Sequence, residues 1–230
     1  MSNIKKVKNG LFVVIEGMDG SGKTTAAHNL VNRLEKEYKT IYVREPGSDK
    51  TAEKIRDIVL HTDLSNRERT LLFAASMSIN MRKQILPKLE EGYIIVCDRF
   101  IRSTWVYQGF YDVNNFSGIQ KCKKINNQFN ELESFAVYNR MPDIEFLLKI
   151  DPEIAYSRTH KRGEETDVFE SKGIEFFKSL ADGYSRHNRF LANPYYIDAE
   201  KDPKYVVSRM INIINHRIDE RGSELCDISQ

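Results

Sequence analysis

Near the N-terminus, Gly17-Met18-Asp19-Gly20-Ser21-Gly22-Lys23-Thr24 follows the spacing G-x-x-x-x-G-K-[ST], and each fixed position has a chemical reason. Glycines reach backbone dihedrals closed to other residues, so successive N–H groups can turn into one concavity and bind phosphate oxygens at a helix N-terminus. Lys23 then brings an ammonium to the β- and γ-phosphates of ATP, and Thr24 offers a hydroxyl to Mg2+. An apolar run precedes the motif and a helix-length segment follows it, which is the setting such a cradle requires. Gly17 to Thr24, with Thr25, are therefore the candidate ATP contacts. The bland alternative is a Gly-rich turn whose lysine is a solvated helix residue.

Two further groups bear charge suited to phosphate chemistry. Ile94-Ile95-Val96-Cys97-Asp98-Arg99 ends in a carboxylate that can reach a Mg2+ shell and a guanidinium that can reach a phosphate. Its plainer reading is an aspartate capping the next helix beside a partner arginine. Arg158-Thr159-His160-Lys161-Arg162-Gly163-Glu164 places three strong cations before a glycine. Phosphoryl transfer needs positive charge on the transferring group, and an arginine supplied there is worth about 10³–10⁵ in rate. A solvated charge run on an exposed loop has the same composition.

These groups must be brought together by the elements around them. Residues 11–16 (LFVVIE), 40–44 (TIYVR), 94–98 (IIVCD), 145–150 (EFLLKI) and 195–198 (YYID) are the near-continuous apolar runs of strands covered on both faces. Helix-length segments lie between them. The last, around 203–219, sets Val207, Met210, Ile211, Ile214 and Ile218 at helical spacing. The alternation predicts an α/β fold: a doubly wound, five-stranded parallel sheet of the P-loop NTPase kind, helices on both faces, ligands at the carboxyl ends of the strands. The segment 110–141 is polar, aromatic and Asn-rich and receives no element.

Bulk properties narrow the class. With 230 residues, 40% hydrophobic and 30% charged, the chain has room for one α/β core, read as a single domain over 1–220 with a frayed tail at 221–230. The 35 Lys and Arg against 33 Asp and Glu leave a formal charge of +2, without the basic excess that nucleic-acid binding requires. No run approaches the ~20 apolar residues that span a bilayer, and MSNIKKVKNG lacks the apolar stretch of a signal peptide. The expectation is a cytoplasmic protein with neither nucleic-acid nor membrane partner. Cys97, Cys122 and Cys226 fit neither a disulfide framework nor a zinc site, and Cys97 reads as a small buried residue.

A P-loop alone does not choose among kinases, switches and motors. The order of further short motifs does: Arg44-Glu45-Pro46-Gly47, Leu71-Leu72-Phe73-Ala74-Ala75, Asp98-Arg99-Phe100, Ser103-Thr104, Tyr107-Gln108-Gly109, Pro142-Asp143 and Arg162-Gly163-Glu164. Over nearly the whole chain this resembles the thymidylate kinase family. The resemblance implies ATP and Mg2+ as phosphoryl donor and metal, a deoxyribonucleoside monophosphate as acceptor, most specifically dTMP, and a homodimer. It implies a lid at about 158–170. Position 20 is Gly, so the P-loop lacks the arginine of one branch of the family, and Arg162 in the lid takes that catalytic role, with Arg158 as an adenine or phosphate contact.

By matched position, the resemblance gives Lys23, Asp98, Arg99 and Arg162 the catalytic work, and Thr24 and Asp98 the metal. Arg44, Pro46 and Arg99 hold the acceptor, Phe73 stacks on its base, and Tyr107 packs beneath the sugar and excludes a 2′-hydroxyl. Asp19 contacts the 3′-hydroxyl, while Ser103, Thr104 and Gln108 face the base. Plain chemistry leaves open a core Phe73, a half-buried Tyr107, a solvated Asp19 and a helix-capping Ser103 or Thr104. Two departures stand out. Met77 occupies the place of the family arginine that hydrogen-bonds the base O4, with Arg82 or Gln108 as possible compensation. Val168 stands where another lid arginine is frequent, after one extra residue. A deoxynucleoside kinase would have no use for Arg44 as a second phosphate clamp, and a nucleotide-binding switch would lack the acceptor residues altogether.

Overall fold

The computed structural model describes residues 4–110, 119–161, 169, 172–186 and 194–223. Five strands, β1 (Leu11–Glu16), β2 (Thr40–Arg44), β3 (Ile94–Asp98), β4 (Ile144–Lys149) and β5 (Tyr195–Asp198), form one sheet in the order β2-β3-β1-β4-β5, every pair parallel. β4 begins one residue earlier than expected, because Ile144 pairs with Val13 and joins the core. The chain moves from β1 to one side of the sheet for β2 and β3, and to the other for β4 and β5. A crevice beside the carboxyl end of β1 results, where sheets of this topology bind ligands.

All of β1 is buried, and its side chains alternate between two cores. Leu11, Val13 and Ile15 face one layer, with Leu30, Phe146, Met210 and Ile214; Phe12 and Val14 face the other, with Val43, Met77, Met81 and Cys97. That two-sided burial is why the strand reads as an unbroken apolar run.

The helices have local causes. α1 (Lys23–Leu34) follows Gly22 directly. α2 (Lys50–His61) is capped by Asp49, whose side chain accepts from Thr51 N. α3 (Asn66–Asn80) starts with a capping box of Ser65 and Glu68, and passes through a π-helical turn (Met81–Ile85) into α4 (Leu86–Glu90). α5 (Ile101–Thr104) runs into a second π-helical turn, Trp105–Phe110. α6 (Ile119–Ala136) fills most of the segment that received no element. α7 (Pro152–His160) has Asp151 as its cap and Pro at its first position; α8 (Ile174–Arg186) and α9 (Pro203–Ser223) complete the chain.

α9 extends past residue 220, and Arg221 is tied down there. It donates to Gly10 O and pairs with Asp143 at 2.7 Å; residues 224–230 of the expected tail lie outside the described residues. Cys97 is fully buried, as expected. Among the described residues no helix is long and apolar enough to cross a membrane.

Candidate active site

The P-loop leaves β1 through Gly17 and closes on α1. Gly20 and Gly22 have φ of 77° and 84°, in the left-handed region that favours glycine. A Cβ on Gly20 would lie 2.2 Å from the backbone oxygen of Ala155, so α7 packs against this turn and leaves no room for a side chain. A Cβ on Gly22 would meet nothing within 4 Å, because the loop opens there onto the cavity. Lys23 is buried, and its ammonium donates to Met18 O at 2.7 Å and lies 3.8 Å from Asp19. Burial, and then the neighbouring Arg99, hold it down to about 8, although Asp19 and Asp98 pull the other way.

At the carboxyl end of β3, Thr24 donates to Asp98 Oδ2 at 2.6 Å, and Tyr42 on β2 donates to the same oxygen at 3.3 Å. Oδ1 of Asp98 is buried with no hydrogen-bond partner among the described residues. A buried carboxylate oxygen without a donor fits a cation, and the adjacent Thr24 hydroxyl is a second hard oxygen ligand. Among the described residues no three His, Cys, Asp or Glu side chains assemble a cage.

Arg99 follows in a left-handed conformation, φ 70°, which turns its side chain back toward the P-loop. Its guanidinium donates to Ser103 Oγ at 2.9 Å, Gly17 O at 3.2 Å and Tyr184 at 3.3 Å, pairs with Asp19, and lies 5.1 Å from the centre of the Tyr107 ring. Tyr107 donates to the other Asp19 oxygen at 2.7 Å. Burial alone would raise the Asp19 carboxyl, but Arg99, Lys23 and the Tyr107 hydroxyl outweigh it and bring it to about 2. Asp19 is thus ionised throughout the physiological range, and is bound to its neighbours rather than solvated.

These groups line one cavity of about 330 Å³. Gly20, Gly22, Lys23, Thr24 and Thr25 line it with Asp19 and Asp98; Arg44, Pro46, Arg99, Phe73, Met77, Ser103, Thr104, Tyr107 and Gln108 are also among its lining residues. Phe73 is half-buried and faces the cavity, whereas Met77 is both core and wall. Gln108 is fully buried, and neither end of its amide has a partner among the described residues. A buried amide left unsatisfied costs about 1–3 kcal/mol.

Not every expected contact converges here. Gly17, Met18 and Ser21 shape the loop without lining this cavity, and Met18 packs in the core. Arg158 is also outside the lining and donates to Ala199 O at 3.3 Å, beyond β5. Arg82 is exposed and off the cavity, which removes it as a substitute for the missing arginine. Arg162, Gly163, Glu164 and Val168 lie outside the described residues. Of the expected lid, Arg158 to Lys161 close α7, and Phe169 packs edge-on against Tyr107 at 5.5 Å.

Sequence reasoning missed Arg56 and Glu45. Arg56 lines the cavity and donates to Pro46 O at 3.2 Å. Its signal was helical spacing, since Glu53, three residues earlier on α2, pairs with Arg44 at 2.8 Å. Burial pushes Glu45 up to about 8, although Asn80 and Ser76 donate to it, at 2.8 and 3.0 Å. It holds the Arg44–Gly47 turn onto α3.

Comparison with known proteins places this geometry. The family model described as Thymidylate kinase matches residues 15–211. A thymidylate kinase of Mycoplasmoides gallisepticum is 34% identical over 93% of this chain and 100% of its own length. One from Halalkalibacterium halodurans is 31% identical over 91% and 98% respectively, and one from Shouchella clausii 35% over 78% and 82%.

Proposed function

The chain belongs to the thymidylate kinase family, and from that premise we propose that it transfers the γ-phosphoryl group of ATP to dTMP, giving dTDP and ADP, by direct in-line displacement. One observation carries this reading: the P-loop lysine, Arg44, Arg99 and the Phe73 ring line a single cavity of about 330 Å³. The acceptor's own phosphate oxygen is the nucleophile, so no general base is needed and positioning does most of the work. Arg44 and Arg99, two guanidiniums suited to a phosphate dianion, fix that oxygen. Lys23 carries positive charge to the β- and γ-phosphates. Thr24 and Asp98 would hold Mg2+, which when bound neutralises charge on those phosphates. Phe73 offers a face to the base, and Asp19, held by Tyr107, offers an acceptor to the sugar 3′-hydroxyl. Arg162 is the proposed catalytic cation of the lid and Arg158 an adenine-side contact, both on the family resemblance. A homodimer and a cytoplasmic setting belong to the same proposal.

Incubation with ATP and a panel of nucleosides and monophosphates tests the reading. ADP production that depends on dTMP is expected; production with nucleosides alone overturns it.

A pH dependence follows from Lys23. Its active form is the ammonium, and in the free enzyme that form is lost as pH rises through about 8. kcat/KM for ATP, which reports the free enzyme, is expected to be level below that point and to fall roughly tenfold per pH unit well above it. Bound triphosphate stabilises the ammonium, so kcat holds to higher pH. A kcat/KM profile level to pH 10 contradicts the assignment.

Base choice is loosened at Met77, which supplies no hydrogen bond where the family arginine would. A bond to a charged donor is worth ~1.5–3 kcal/mol, so dTMP is accepted with discrimination among pyrimidine monophosphates looser by about tenfold or more than with an arginine. Met77→Arg is expected to sharpen it. Values of kcat/KM for dTMP, dUMP, dCMP and dGMP in both forms decide; a wild-type enzyme already rejecting all but dTMP by several orders of magnitude defeats the idea.

A further inference from the structure

Glu16 closes β1 inside the sheet, fully buried, where a carboxylate has no packing reason to be. Its surroundings give the reason. Oε1 accepts from the backbone N–H of Phe100 at 2.9 Å and of Ser103 at 3.1 Å, and Oε2 accepts from the Ser103 hydroxyl. Phe100 is the residue before α5 and provides no side-chain cap. Glu16 therefore caps, from a neighbouring strand, the helical stretch 101–110 that carries Ser103, Thr104, Tyr107 and Gln108.

The same carboxylate reaches Arg99. Ser103 donates to Glu16 and accepts from Arg99 at 2.9 Å, so its oxygen relays the negative charge to the guanidinium. Arg99 sits at φ 70°, a conformation that costs a residue with a Cβ and persists only where its neighbours over-determine it. The two N–H groups that Glu16 holds belong to Phe100, directly after Arg99, and to Ser103, four residues on, so the turn is pinned from its far side.

We infer that Glu16 is a positioning residue for acceptor binding, holding the turn after β3 and, through Ser103, the guanidinium of Arg99. This rests on the reading of Arg99 as an acceptor-phosphate clamp. Its burial and the nearby Glu145 push the Glu16 carboxyl up to about 7, which Ser103 and Arg99 partly oppose. The bonds from Ser103 and the nearby charge of Arg99 thus favour the ionised form that burial disfavours.

Glu16→Gln keeps the shape and the two backbone bonds but removes the charge and reverses the bond to Ser103. The KM for dTMP is expected to rise on the order of tenfold, the scale of one charge-assisted hydrogen bond, while the KM for ATP stays within about twofold. Ser103→Ala cuts the link itself and is expected to act likewise, the double variant being no worse than the worse single one. A merely structural role would lower thermal stability and shift both KM values together, and that result overturns the inference, as do multiplicative effects in the double variant. Should Glu16→Gln fail to fold, Ser103→Ala decides alone: an unchanged dTMP KM overturns the inference. Arg99→Ala separates the two readings. If it leaves the dTMP KM unchanged, the clamp itself is wrong; if it raises that KM while Glu16→Gln does not, only the present inference fails.

Discussion

Lys23→Ala is expected to fold and to lose turnover by ~10²–10³ or more, the range found when one preorganised donor to developing charge is removed. The side chain is an unfavourable guest in the folded protein. Burial and Arg99 lower its proton affinity to about 8, so the folded state bears a cost for the ammonium that is fully present below that pH and is relieved as pH rises toward the unfolded value. Removing it eliminates that cost and the repulsion from Arg99, while Asp19 keeps Arg99 and Tyr107 as partners. What is lost is the bond to Met18 O and the cation at the phosphates. Thermal unfolding should therefore change by only a few degrees in either direction, on the scale of ~1 kcal/mol for a chain of this size. ADP formation from ATP and dTMP, followed beside the circular-dichroism melt, checks both halves. A folded variant that turns over normally would remove Lys23 from the mechanism, and with it the reading of Gly17–Thr24 as a phosphate cradle.

Much of this arrangement was legible in the sequence because its causes are local or doubly constrained. β1 and β3 are sandwiched between two cores, so each is a continuous apolar run at the right length, and the glycines of 17–22 announce a turn that only glycine can make. α6 was not read although Cys122, Ile125, Phe129, Leu132 and Ala136 recur at helical spacing, because Lys, Asn, Gln and Glu dominate the segment; its burial also runs against residue type, with Glu133 buried and Phe135, two residues on, 83% exposed. Glu16 was invisible for a related reason: a glutamate ending a strand reads as the start of a loop, and only the tertiary fold brings Phe100 N and Ser103 to it. The acceptor residues needed the family resemblance, since a Phe or Tyr on an apolar helix face has the same local signal whether it fills a core or lines a cavity. The cavity has Phe73, Tyr107 and Gln108 among its lining residues and leaves Arg82 outside it.

Arg99→Ala is expected to lower kcat/KM for dTMP by on the order of 10²–10⁴, since two charge-assisted hydrogen bonds to a phosphate dianion, at ~1.5–3 kcal/mol each, disappear together. Arg99→Lys restores the charge but not the planar fork, so it should recover only part of the loss, about one bond's worth. Stability separates the side chain from the backbone that presents it. At φ 70° an alanine keeps the left-handed strain, whereas Arg99→Gly relieves it, and the glycine variant should be the more stable of the two by about 1 kcal/mol. Both leave Asp19 with Lys23 and Tyr107, but its carboxyl loses the cation that most lowers it and should titrate higher than about 2. Because the folded-state value is depressed, Asp19 contributes stability that is present above its unfolded pKa and lost as pH falls toward the folded one. Removing Arg99 shrinks that contribution, so the melting temperatures of wild type and Arg99→Gly should differ more at pH 7 than at pH 2–3. The kinetics thus test the guanidinium against the acceptor, and melts across pH test it against Asp19. A glycine variant that binds dTMP as well as wild type would mean that the turn, rather than the guanidinium it carries, is what the acceptor needs.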